Sequence, residues 1–126
     1  MIQQQTILTV SDNSGAKTAK CIKVLGGFRK KISKIGNIIV ISIQKLRNKV
    51  KIKSKVKKGE IYKAIILKTK KPIQIKDGTT LRFSSNSICL INKQQKLVST
   101  RILGPIPKKF RKNKFIKLVS MSSGFI

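Results

Sequence analysis

Apolar residues in this chain fall in short runs, each closed by glycine, proline, serine or asparagine. Ile7-Leu8-Thr9-Val10 predicts a first strand and Ser11-Asp12-Asn13-Ser14-Gly15 a turn. From Ala19 to Leu25, Lys20 and Lys23 stand among Cys21, Ile22 and Val24, and Gly26-Gly27 closes the strand. A basic loop follows, Phe28-Arg29-Lys30-Lys31-Ile32-Ser33-Lys34, ended by Gly36. Ile38-Ile39-Val40-Ile41-Ser42-Ile43 predicts the most apolar strand. Within the segment Ile61 to Leu67, Ala64-Ile65-Ile66-Leu67 has no polar alternation at all, as expected of a strand buried on both faces. Pro72 blocks continued pairing. Ile73 to Ile75 and Thr79 to Phe83 flank Asp77-Gly78, a typical hairpin turn. Ser87 to Ile91 predicts another strand and Asn92 to Lys96 a polar turn.

Short strands with turn signals every 8–12 residues or so predict a small all-β barrel. With 126 residues and 40% hydrophobic content, the chain is expected to form one domain, 1–126, around a small core. Gly104-Pro105-Ile106-Pro107 interrupts the strand pattern. Beyond it, 106–126 reads as a C-terminal appendage, with short helix from Lys108 to Met121 and Phe110, Phe115 and Leu118 as its apolar stripe. Between the strands, 45–57 reads as a basic β-ribbon standing off the sheet. Lys49, Lys51, Lys53, Lys55 and Lys57 alternate there with mostly apolar residues. In an extended strand such positions share a face at roughly 6–7 Å spacing, which makes one face a row of ammonium groups. Lys58-Gly59-Glu60 turns this ribbon into the next strand.

Charge narrows the function. Thirty Lys and Arg stand against three acids, Asp12, Glu60 and Asp77, a formal charge of +27. Internal pairing cannot neutralise that, and self-repulsion opposes the compact state, so a polyanionic partner is expected. Nucleic acid fits better than a membrane surface: the chain has neither a basic amphipathic helix nor a lipidation signal, and no apolar run long enough to span a bilayer. Cys21 and Cys89 have no metal-knuckle spacing and sit in apolar runs, as buried thiols of a reducing compartment would. No signal peptide or amphipathic presequence precedes the first strand, an arrangement expected of a protein made where it works.

Catalysis finds little to work with. Histidine is absent, three carboxylates are scattered, and neither a Gly-x-Ser-x-Gly elbow nor a phosphate-loop motif occurs. The expectation is a non-enzyme with no cofactor, no metal and no small-molecule substrate. Double-helix readers present a recognition helix, which this pattern does not supply. Single-strand binders rely on aromatic platforms; here there is no Trp, one Tyr and five Phe, and Phe83 and Tyr62 read as core. Lysine outnumbers arginine, which suits phosphate neutralisation more than bidentate base reading. Backbone and shape recognition of a folded RNA is the expected mode.

Several motifs together are similar to those of the large ribosomal subunit protein 14 family. They are Gln5-Thr6-x-Leu8, Asp12-Asn13-Ser14-Gly15-Ala16-Lys17, and Cys21-Ile22-Lys23-Val24-Leu25-Gly26-Gly27. Further on come Val56-Lys57-Lys58-Gly59, Lys63-Ala64-Ile65-Ile66-Leu67-x-Thr69-Lys70-Lys71, and Asp77-Gly78 followed by Arg82-Phe83-x-x-Asn86. Ser99-Thr100-Arg101-Ile102-Leu103-Gly104-Pro105 and Lys114-Phe115-x-Lys117-Leu118-Val119-Ser120 match near the end. The resemblance spans nearly the whole chain. It implies a closed five-stranded barrel with a projecting β-ribbon and a short helical C-terminal region. It also implies a structural role at the intersubunit face of the large ribosomal subunit, packed on large-subunit rRNA. Large-subunit proteins 3 and 19 would lie beside it, and small-subunit rRNA would be reached across a bridge. Carried onto this sequence, Asn13, Ser14 and Lys17 form an RNA-facing loop, and Lys57, Lys58, Lys70, Lys71, Arg101 and Arg111 are the matching basic positions. Each lysine is open between direct phosphate contact and a solvated place nearby.

The departures from the family are informative. The ribbon is longer than the bacterial pattern and lacks its acidic and proline residues. Asn37 stands where the family usually has Asp, and Ser122-Ser123-Gly124-Phe125-Ile126 replaces a usually acidic ending. Lys and Ile accumulate, and because codons for Ile, Lys and Asn are A/T-rich, an A/T-rich gene is implied. This suggests an organelle-encoded, mitochondrial member, with an A/T-rich bacterium or a plastid as alternatives. A free RNA-binding barrel acting as a translation or assembly factor is the competing function, and a basic membrane-peripheral protein a third.

Overall fold

The computed structural model describes residues 1–47, 54–112 and 115–126. Its strands are β1 (Ile7–Val10), β2 (Ala16–Val24), β3 (Ile38–Leu46), β4 (Ile61–Lys68), β5 (Ile73–Gln74), β6 (Thr80–Leu81) and β7 (Ser87–Ile91). Five of them close a barrel in the order β1-β2-β3-β4-β7. Neighbours pair antiparallel except at the closing seam, where β1 and β7 run parallel with Thr9 opposite Ser87 and Val10 opposite Ile88. The expected all-β barrel is therefore present, with five staves. The Asp77-Gly78 hairpin forms as β5–β6, a separate two-stranded sheet.

Period-two alternation decides what fills the barrel. Leu8 and Val10, Ala19, Cys21 and Val24, Ile39, Ile41 and Ile43, Ala64 and Ile66, and Ile88 and Leu90 are all buried. Their registers align them: Leu8 with Ala19, Ala19 with Ile43, Ile39 with Ala64, and Ala64 with Leu90. β2 begins at Ala16, three residues before the apolar pattern starts, because Gly15 takes a left-handed φ of +101° that turns the chain straight into the strand.

One stave and half of another are buried on both faces. Ala64, Ile65, Ile66 and Leu67 are all inaccessible, as the unbroken apolar run predicts, and so is the whole of β7. The chain beyond β7 supplies the cover. It doubles back with Leu97 bridging Ile91 and the Val98 N–H donating to the Leu90 carbonyl. Ile102, Ile106, Phe110 and Leu118 then join the same core. Short backbone bridges from Asp12 to Ile102, Ile102 to Ser122 and Ile106 to Phe125 hold this wrap in place.

The helix expected from Lys108 to Met121 takes the form of a 3-10 helix, Lys108–Lys112, and one α-helix, α1 (Lys117–Met121). With no side-chain N-cap, no acidic residue in its first turn and no basic residue in its last, α1 has little to extend it. Its stripe does its expected work: Phe110 and Leu118 are fully buried and Phe115 partly so. Of the expected ribbon, Lys45 and Leu46 belong to β3, and residues 48–53, with Lys49, Lys51 and Lys53, lie outside the described residues. Residues 54–57 are not strand and lie against the barrel, because Val56 is buried and the Lys55 N–H donates to the Ser14 carbonyl at 3.1 Å.

Candidate nucleic-acid interface

Two of the three acids are bound up inside the chain. Asp12 is fully buried: Oδ1 accepts from the Ser14 N–H (3.0 Å) and from the Ser14 hydroxyl, and Oδ2 from the Leu90 N–H of β7 (2.9 Å). Glu60 accepts from the Lys57 N–H (2.9 Å) and the Tyr62 hydroxyl (3.0 Å). The Lys57 backbone bond, then the Tyr62 bond, hold its carboxyl below the usual range. Both carboxylates are thus bonded chiefly to uncharged donors. Asp77 is exposed at the tip of the β5–β6 hairpin.

The turn between β1 and β2 gathers residues far apart in sequence. The Asn13 amide donates to Thr100 Oγ1 (2.7 Å) and accepts from the Thr100 and Arg101 N–H groups (3.0 and 3.3 Å). Lys55 reaches the Val98 carbonyl through Nζ at 3.4 Å. Asn13, Lys55 and Arg101 therefore share one surface, each exposed. Ser14 does not join them, since its complete burial against Asp12 leaves it no surface to offer a phosphate. Lys17, exposed on β2, lines a shallow groove with Thr9, Val10, Leu46 and Arg47. Arg47 is fixed there by its backbone bond to the Gly15 carbonyl (2.9 Å) and its guanidinium bond to the Val10 carbonyl (3.1 Å).

A second basic group lies across the β1–β7 seam. Lys70, Arg82, Phe83 and Ser84 line another open groove. The Lys70 N–H donates to Asn86 Oδ1 (2.8 Å), and the Asn86 carbonyl accepts from Thr9 Oγ1 (2.9 Å). Thr9 lines the first groove, so Thr9 and Asn86 connect Lys17 and Arg47 on one side to Lys70 and Arg82 on the other. Lys71 extends this group to the N-terminus, its Nζ 3.7 Å from Met1 Sδ. Burial, then the charge of Lys71, lowers the pKa of the terminal amine. Nearby, Lys68 is half-buried with its Nζ 5.9 Å from the centre of the Phe83 ring, and burial lowers its pKa.

The other expected basic positions lie apart from these contacts. Lys57 and Lys58 are exposed on the turn entering β4. Arg111 places its guanidinium 3.9 Å from the centre of the Phe125 ring, an intramolecular stack. Arg47 and Arg82 are the groove cations that the sequence did not single out as contacts. Arg82 stood within a recognised motif, but Arg47 carried no local signal, because only the closed barrel brings it beside Val10. Among the described residues no three of the potential metal-binding side chains cluster in a way that could hold an ion.

A basic surface built on a five-stranded barrel is what a structural protein of the ribosome would present. The family model of ribosomal protein L14p/L23e matches residues 1–126. The chain therefore belongs to the ribosomal protein L14p/L23e family, whose members are structural proteins of the large ribosomal subunit rather than enzymes.

Proposed function

We propose that the protein binds large-subunit rRNA by phosphate-backbone and shape contacts, using the two grooves along the β1–β7 seam. The observation that carries this reading is the pair of basic grooves, one with Lys17 and Arg47 and one with Lys70 and Arg82, joined through Thr9 and Asn86 at the β1–β7 seam, while two of the three acids have their carboxylates engaged by donors within the chain. Asn13, Lys55, Lys71 and Arg101 border the seam, and Lys57 and Lys58 extend the basic surface; Asn13 helps by holding the 98–103 segment in place. Family membership supports a position at the intersubunit interface, beside large-subunit proteins 3 and 19 and within reach of small-subunit rRNA. The richness in Ile and Lys, whose codons are A/T-rich, supports a mitochondrial ribosome as the setting.

Two measurements test the proposal. In the first, tagged protein from a mitochondrial lysate is sedimented with and without nuclease. Stoichiometric co-migration with the large subunit through moderate salt is expected. Migration at the top of the gradient with only nuclease-sensitive trailing refutes the architectural role and favours an exchanging RNA-binding factor. In the second, Lys17→Gln with Lys70→Gln is titrated against purified large-subunit rRNA. Neither side-chain ammonium has a bond among the described residues, so the fold should be unaffected. The dependence of log affinity on log salt should flatten by about 1 per lysine removed. An unchanged slope would take the seam out of the contact.

A further inference from the structure

The loop between β2 and β3 presents an aromatic ring to solvent. Phe28 is 92% exposed, whereas Phe110 is buried, Phe83 and Phe115 pack against the core, and Phe125 lies under the Arg111 guanidinium. A free phenyl ring forgoes the burial that usually places phenylalanine inside. The Arg29 guanidinium lies 5.3 Å from the ring centre.

The ring is offered from an anchored platform. At the base of the loop the Leu25 N–H donates to the Ile38 carbonyl, and Ile2 and Ser33 exchange backbone bonds at 3.0 and 2.8 Å. Ile2, Ser33 and Ile35 are buried. At the tip, Arg29 has φ +54°, a left-handed conformation uncommon for a side-chain-bearing residue. Lys30 folds back over the Gly26–Gly27 turn, and its Nζ is 3.0 Å from the Asn37 amide oxygen when that oxygen faces the loop. Arg29 and Lys31 remain exposed, and the loop contains no acid.

We propose that Phe28 is a stacking platform for one unpaired nucleobase of the bound RNA, with Arg29 and Lys31 holding the adjacent phosphates. The proposal rests on the rRNA-binding reading above and adds a particular contact to it. A flat apolar face next to cations matches the two parts of a nucleotide, a π-surface and an anion. An apolar pocket on a protein partner would be matched better by a contiguous apolar patch than by one ring among four basic side chains.

The test places the photo-crosslinker p-benzoylphenylalanine at position 28 of the tagged full chain. After irradiation of the cell, sedimentation is combined with mapping of the adduct. A crosslink to a single-stranded rRNA nucleotide within the large subunit is the expected result. Co-sedimentation with the subunit but a crosslink only to protein, or none, overturns the stacking proposal and leaves the ribosomal reading standing. A crosslink to RNA in a protein that sediments apart from the subunit supports stacking and overturns the ribosomal reading. In parallel, Phe28→Leu should weaken binding to purified large-subunit rRNA by about five- to a hundredfold, with Phe28→Tyr near wild type and the melting temperature unchanged in both. Equal binding by the Leu and Tyr variants would also overturn the proposal.

Discussion

Replacing Asp12 with Asn tests whether this buried carboxylate joins the β1–β2 turn to β7. The two side chains are nearly the same size, so packing is preserved and only hydrogen-bonding capacity changes. Asp12 presents one oxygen to Ser14 and the other to the Leu90 N–H, 78 residues away, with no exposure to water. Asn keeps one acceptor and must aim its NH2 group at one of these donor sets, setting donor against donor. Loss of a bond to a charged acceptor costs about 1.5–3 kcal/mol, and a buried donor left without a partner about 1–3 kcal/mol. With partial relaxation, about 2–4 kcal/mol is expected, a large share of the roughly 5–15 kcal/mol that holds a typical domain together. The assay is urea unfolding followed by circular dichroism at high salt, where repulsion among the cations is screened. Asp77→Asn is the control. It changes net charge equally, but at an exposed hairpin position where Asn-Gly is as suitable as Asp-Gly, so it should stay within about 0.5 kcal/mol of wild type. If both variants lose the same small amount, net charge accounts for the effect and the inferred role of the Asp12 bonds is wrong.

Two further outcomes follow from the core. Cys89 is buried, and desolvation, followed by the nearby Asp12 charge, pushes its thiol up from 9.0 to about 12. In a Cys21→Ser background, native Cys89 should therefore react with Ellman's reagent at mildly alkaline pH only as fast as the protein unfolds. Because the folded pKa is the higher one, the stability contributed by the neutral thiol is complete below pH 9 and is lost as pH rises toward 12; rapid labelling of native Cys89 would contradict this. Leu118→Ala should cost about 2–5 kcal/mol, although Leu118 lies in a five-residue helix near the C-terminus, because its side chain is fully buried in the common core. A loss below about 0.5 kcal/mol in urea unfolding would mean that the wrap is not part of that core.

The staves were legible because a strand with one wet face must alternate and a strand with none need not. Ile38 to Ile43 and Ala64 to Leu67 announce themselves in that way. Barrel closure was not legible from alternation alone. Pairing of Thr9 with Ser87 joins segments 78 residues apart and leaves no local pattern, so only the family resemblance implied five closed staves. The polar turn was the hardest stretch to interpret. Asp12, Asn13 and Ser14 have the same small polar character whether they face water, RNA or the protein interior. The partners that separate them, Leu90, Thr100 and Arg101, lie at least 78 residues further along the chain. Ser14, expected on the RNA-facing loop, is buried for that reason.

The site's cations were hard to rank from sequence because cations have two kinds of work here. Arg47 binds the Val10 carbonyl and Arg111 stacks on Phe125, so two arginines fasten the fold while still carrying charge at its surface. Lys17 and Lys70 lie at comparable exposed positions but form no side-chain bond among the described residues, which leaves their ammonium groups available to a ligand. The difference follows from side-chain chemistry: a planar guanidinium can bridge a carbonyl or cover a ring, whereas an ammonium on a flexible stem is held best by a strong anion. The barrel interior is apolar and the one fully buried acid accepts three hydrogen bonds, with both of its oxygens engaged. Positive charge is therefore concentrated at the surface rather than dispersed through the molecule, and a lysine-rich family member gains adhesion to a polyanion with little change to the packing that folds it.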